Sequence, residues 1–178
     1  MKTNIALVGF MGVGKSTIAK GLATSLEKKL IEVDLLIARK AGKSIPQIFQ
    51  EDGEIAFRDL EISVIKELAS QNNLVIDCGG GIILNKINVD RLKENAIIVW
   101  LNASPEAIIK RTESDGNGRP LLQGKKKITE IQQIMSFRLP LYEAVADIKM
   151  DTSEADISKI VEQISTRVKE NADFSPSK

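Results

Sequence analysis

An apolar run ending in glycine, NIALVGF at 4–10, passes directly into MGVGKST and then into helical spacing at Ile18, Leu22 and Leu26. This junction constrains the chain more than any other feature. A short, almost wholly apolar run suits a strand buried on both faces of a parallel sheet. The turn after it, GFMGVGKS, matches G-x-x-x-x-G-K-[ST] at Gly9, Gly14, Lys15 and Ser16. Glycines let backbone N–H groups converge on phosphate oxygens without a side chain in the way. The N-terminus of the following helix adds favourable partial charge. Lys15 can reach terminal phosphates, and the Ser16 hydroxyl can ligate Mg²⁺. The cradle therefore comprises Gly12, Val13, Gly14, Lys15, Ser16 and Thr17.

The rest of the chain alternates in the same way. LIEV (30–33), LVID (74–77), AIIVWL (96–101) and ADIKM (146–150) read as strands. Helical spacing covers about 15–28, 34–40, 44–70, 128–144 and 153–170, and Ser104 caps a further helix, SPEAIIKRT, ending near Thr112. Strands alternating with helices predict a three-layer α/β/α fold around a central five-stranded parallel sheet. Residues 113–127, rich in glycine and charge, show neither period and read as a mobile loop, giving a lid at about 112–125. With no internal repeat, residues 1–170 form one domain and 171–178 a frayed tail.

Composition narrows the chemistry. The 178 residues include 25 basic and 24 acidic side chains, a net charge of +1, which argues against a bulk nucleic-acid or membrane binder. Cys78 is the only cysteine, so no internal disulfide can form, as suits a reducing compartment. No segment approaches the ~20 apolar residues of a bilayer span, and the N-terminus lacks a signal-peptide pattern. A cytoplasmic monomer is the expectation. There is no histidine, so a general base must be a carboxylate, a lysine or water.

A P-loop alone fits GTPase switches, motor-like ATPases and small-molecule kinases. The chain is short for a motor and has no base-reading N-K-x-D, which favours a kinase. Three later stretches bear on the acceptor. In IEVDLLI (31–37), Glu32 and Asp34 would share one strand face at the ligand crevice, or serve as solvated helix-start acids with Asp34 as N-cap. Arg58 lies in a helix among Ile55, Ala56 and Phe57, where an arginine is ordinarily a surface residue with a buried stem. Gly79, Gly80 and Gly81, in VIDCGGGII, would let backbone approach a ligand, or form a plain loop.

Together these stretches resemble shikimate kinase over residues 5 to about 150. That family carries a P-loop, D-x-D, G-E-x-x-F-R-x-x-E, G-G-G, R-P-L-L in a lid and R-x-x-x-Y. This chain reads GFMGVGKST, EVD, GEIAFRDLE, CGGG, RPLL and RLPLY, in that order. The resemblance implies a P-loop kinase fold, with ATP and Mg²⁺, that phosphorylates the 3-hydroxyl of shikimate on the route to aromatic amino acids. It further implies that Asp34 holds shikimate hydroxyls, Arg58 and Arg138 grip its carboxylate, and Gly79, Gly80 and Gly81 line the pocket. Arg119 would close with the lid onto the phosphates, and Arg111 would lie against adenine.

Two positions depart from the pattern. Glu32 stands where the family has aspartate near the Mg²⁺ waters; the extra methylene moves the carboxylate by about one bond length or more. Asp77 stands where many shikimate kinases have a small residue. The expectation is that Ser16 ligates the metal directly while Glu32 and Asp77 hold it through water. A related small-molecule kinase of gluconate type, an adenylate-type nucleotide kinase and a catalytically impaired nucleotide-binding relative remain as alternatives.

Overall fold

The computed structural model describes residues 1–114, 127–154 and 156–176. Five strands, β1 (Asn4–Gly9), β2 (Lys29–Glu32), β3 (Leu74–Asp77), β4 (Ala96–Asn102) and β5 (Ile148–Asp151), form one sheet in the order β2-β3-β1-β4-β5. Every pairing is parallel. Alternate side chains of β1 serve two cores. Ile5 and Leu7 pack with Ile18 and Leu22 of α1 (Lys15–Ser25) and with Ile160, Ile164 and Val168 of α8 (Ile157–Glu170). Ala6 and Val8 face Ile37 of α2 (Val33–Ala41) and Val64, Ile65 and Leu68 of α4 (Gly53–Ala69). Period-two alternation in a strand buried on both sides thus makes the three layers.

β1 lies between β3 and β4, so the chain leaves β1 toward one edge and later builds the other. This is the switch point of an open α/β sheet, where a crevice opens beyond the strands' carboxyl ends. The phosphate loop follows β1, Glu32 ends β2 and the triple glycine follows β3. All three therefore emerge at one edge.

Several boundaries differ from the sequence reading. The expected helix over 44–70 is broken. Ser44 caps a short α3 (Ile45–Gln47), a π-helical turn covers Ile48–Asp52, and Gly53 at φ 84° ends that turn before α4. Only glycine takes that backbone angle cheaply. A helix not foreseen, α5 (Lys86–Asn95), starts at Asn85, whose side chain accepts from the Ile87 N–H. The last two helices before β5 are α6 (Pro105–Ser114), with the Ser104 hydroxyl accepting from the Ala107 N–H, and α7 (Lys127–Val145). The described part of the tail read as frayed, residues 171–176, docks along the N-terminus instead. Phe174 is buried, Lys2 and Phe174 form a parallel bridge, and the Lys28 ammonium stands 5.1 Å from the Phe174 ring centre. No described helix is long and apolar enough to cross a membrane.

Candidate active site

The phosphate loop is built around close backbone approaches. A Cβ at Gly9 would fall 2.3 Å from the Leu101 carbonyl oxygen, and Gly9 also adopts φ 151°. Gly14 is the N-cap of α1 at φ 91°. The Val13 carbonyl accepts from the Thr152 hydroxyl at 2.8 Å, which ties the loop to the end of β5. Arg111 braces the same region. Its guanidinium donates to the Gly12 carbonyl at 3.4 Å, the Ser153 carbonyl at 3.3 Å and the Thr152 carbonyl. Lys15 Nζ donates to the Gly9 and Phe10 carbonyls at 3.1 and 3.0 Å, folding the ammonium over the loop. Ser16 and Thr17 are exposed in the first turn of α1.

The acids gather beside this loop. Glu32 and Asp77 are paired across β2 and β3, and Asp77 is also paired with Leu7 of β1. Asp77 is buried, and burial pushes its carboxyl above the ordinary value despite the nearby Ser16 hydroxyl and the attraction of Lys15. Asp34 corrects one expectation. The strand ends at Glu32, so Asp34 occupies the first turn of α2 and shares no strand face with it. It still reaches the crevice, because a Cβ at Gly79 would sit 2.8 Å from Asp34 Oδ1.

The triple glycine joins the two halves. A Cβ at Gly80 would lie 3.6 Å from the Gly9 carbonyl oxygen and 3.8 Å from the Met11 nitrogen, so this loop rests on the phosphate loop. A Cβ at Gly81 would meet Arg58 Nη1 and Nη2 at 2.8 Å. Arg138 of α7 donates to the Gly80 carbonyl at 3.2 Å, with its guanidinium carbon 5.8 Å from the Phe10 ring centre. Arg58, Arg138, Asp34 and Lys15 therefore converge on two touching loops. The expectation of neighbouring donor and acceptor pockets requires this arrangement, and arginines on opposite sides of the fold would have excluded it.

Three contributors escaped the sequence reading. Glu61, one turn beyond Arg58 on α4, is 1% exposed and accepts from Arg58 Nη1 at 3.2 Å; Glu54 accepts from Arg58 Nη2 at 3.2 Å. Burial raises the Glu61 carboxyl, and Arg58 partly offsets that. Tyr142, in α7, donates to the Gly80 carbonyl at 2.8 Å and stacks on Trp100; burial pushes its hydroxyl up to about 12. Thr152 is fully buried. The Glu61 and Tyr142 positions belong to motifs visible in the sequence, whereas nothing marked Thr152. Arg119 and most of the lid segment lie outside the described residues.

A family model for shikimate kinase matches residues 11–169. A shikimate kinase from Pelotomaculum thermopropionicum is 40% identical over 168 residues, covering 94% of this chain and 96% of its own length. One from Dehalococcoides mccartyi is 36% identical over 170 residues, covering 96% of each chain. The solved structure of an Acinetobacter baumannii shikimate kinase in complex with shikimate superposes with a TM-score of 0.89 at 36% identity, covering 97% of this chain and 96% of that one.

Proposed function

This chain belongs to the shikimate kinase family, and from that membership we propose that it transfers the terminal phosphoryl group of ATP to the 3-hydroxyl of shikimate. The products are shikimate 3-phosphate and ADP. One observation carries the reading beyond membership: the Gly79–Gly81 loop lies against the phosphate loop on one side and the Arg58 and Arg138 forks on the other. A phosphoryl donor and a small carboxylic acid held there would be neighbours.

The roles follow from the chemistry of each group. Backbone amides over Gly12, Val13, Gly14 and Lys15, with Ser16 and Thr17, hold the triphosphate at the amino end of α1. Lys15 turns from its carbonyl partners toward the phosphates once these present a stronger acceptor. Arg58 and Arg138 clamp the shikimate carboxylate, which planar guanidinium forks match well. Asp34 accepts from ring hydroxyls. Arg111 flanks the adenine, and Arg119 joins the phosphates when the 112–125 segment closes. Transfer then depends on positioning and charge neutralisation, with water excluded so that ATP is not hydrolysed.

Mg²⁺ fits the residues present. Among the described residues no three acidic or thiol side chains converge into a metal cage. The Ser16 hydroxyl, near Asp77 and Glu32, suits an ion coordinated largely by phosphate oxygens and water. Ser16 would ligate it directly, with Glu32 and Asp77 acting through water. Its contribution would be to neutralise phosphate charge. Aromatic amino acid biosynthesis, a cytoplasmic location and a monomeric state, with neither nucleic acid nor membrane as partner, complete the proposal.

The test is product identity. Incubating the protein with ATP, Mg²⁺ and shikimate should yield a new phosphate monoester, identified as the 3-phosphate by phosphorus NMR coupling to the ring. A phosphate appearing only on gluconate or AMP would overturn the assignment.

A further inference from the structure

Asn88 sits in the first turn of α5 with no exposed surface. A helix position buried against an apolar core ordinarily takes leucine or alanine. This amide instead donates through Nδ2 to Glu61 Oε2 at 3.2 Å. Its Oδ1 is buried and finds no protein donor. An unpartnered buried carbonyl oxygen is destabilising, so packing alone does not account for the side chain. What it does contact is the carboxylate that holds the acceptor arginine. Glu61 takes Arg58 Nη1 on both oxygens, at 3.2 and 3.3 Å, and Asn88 on Oε2. The same guanidinium faces Gly81.

We propose that Asn88 is a positioning residue for the acceptor: through Glu61 it fixes the Arg58 fork at the Gly81 edge and so sets the affinity for the acceptor's carboxylate. The inference rests on the functional reading above, which makes Arg58 a carboxylate clamp. Glu61 has to satisfy Arg58 and Asn88 from a buried position. Without the amide, the carboxylate is held from the Arg58 side only. Arg58 then keeps its charge but loses its fixed direction, which is the property that a two-point grip on a carboxylate needs. The phosphate loop has no bond to Asn88, so the nucleotide site is left alone.

A protonation signature accompanies the geometry. The charged or titratable groups around the Glu61 carboxylate are Arg58 on α4, Asp34 on α2 and the Cys78 thiol after β3. Asn88 favours the ionised form of Glu61, against burial and Asp34. Removing it lets Glu61 take up a proton at higher pH, and a neutral Glu61 no longer anchors Arg58.

The experiment is steady-state kinetics of Asn88→Leu, a near-isosteric change, with wild type in parallel over a range of pH. The expected result is a KM for shikimate raised about tenfold, the scale of one hydrogen bond to a charged group. The KM for ATP should stay at the wild-type value. The acid limb of kcat/KM for shikimate should move to higher pH, which simple loosening of the fold would not produce. If Asn88→Leu does not fold, Asn88→Ala carries the same comparison. An unchanged shikimate KM and pH limb, or equal rises in both KM values, would overturn the inference while leaving the functional reading intact. A wild-type chain with no shikimate-dependent ADP release would overturn the functional reading first, and this inference with it.

Discussion

Glu32 and Asp77 are Cα partners at the carboxyl ends of β2 and β3, and Ser16 and Lys15 stand near enough to Asp77 to favour its charged form. Two acids are thus placed where the phosphate loop begins its helix. If both steer the water around Mg²⁺, Asp77→Asn should weaken apparent Mg²⁺ affinity by roughly 10- to 100-fold, the usual effect of an outer-sphere change. Turnover should fall with it. Titrating Mg²⁺ at saturating ATP and shikimate measures both, and wild-type values for the two would remove Asp77 from the metal's surroundings.

The same substitution has an opposite effect on stability. Burial raises the Asp77 carboxyl in the folded chain above its ordinary 3.8. Between the ordinary and the raised value the folded state keeps a proton that the unfolded state has lost. Stability from this group is therefore greatest on the acid side and declines as pH rises through that window. Asp77→Asn has no such decline. Melting curves in chelator-containing buffer should show the variant gaining on wild type as pH increases, and a pH-independent gap would contradict the burial argument.

Gly81 and Gly9 separate function from folding. An alanine at position 81 would put a methyl 2.8 Å from both Arg58 nitrogens, which can swing away because they end a flexible side chain. Gly81→Ala should melt close to wild type yet raise the KM for shikimate about tenfold or more through loss of the guanidinium fork. Gly9→Ala meets the fixed Leu101 carbonyl at 2.3 Å and an unsuitable φ, so it should lose stability, by about 1–3 kcal/mol or more. Melting temperatures and KM values for the two variants check the contrast.

Lys15 is half-buried, and its ammonium donates to the Gly9 and Phe10 carbonyls of the loop. Replacing it by methionine keeps the stem and removes the charge. Turnover should drop by about 10²–10³, as when one preorganised charge donor is removed from a transition state. Circular dichroism should stay unchanged. Near-normal turnover would mean that the ammonium does not meet the transferring phosphoryl group.

The fold was largely legible in the sequence because its strands are short, apolar and followed by glycine or a helix cap. The phosphate loop, the five strands and the crevice follow from that pattern. What was not legible depended on tertiary partners. α5 carries few apolar positions, and one of its buried residues is the polar Asn88, so its helical face had no hydrophobic period to reveal it. Gly53 breaks the long helix at a place where glutamate-rich neighbours gave no warning. Asp34 seemed to belong to a strand because Val33 extends the apolar run, yet Val33 already opens α2. Glu61 looked like any charged residue on an amphipathic helix; only packing against α5 shows it to be buried. Glu61 and Tyr142 stood in recognised motifs without a role, and they contact Arg58 and the Gly80 carbonyl.

The most direct measurement is ADP release, coupled to an optical readout, with shikimate, ATP and Mg²⁺ each omitted in turn. The prediction is steady ADP production only when all three are present, and loss of that production when gluconate or AMP replaces shikimate. ADP release that proceeds equally without shikimate, or that needs a different acceptor, would contradict a chamber shared by the phosphate loop and the Arg58–Arg138 clamp.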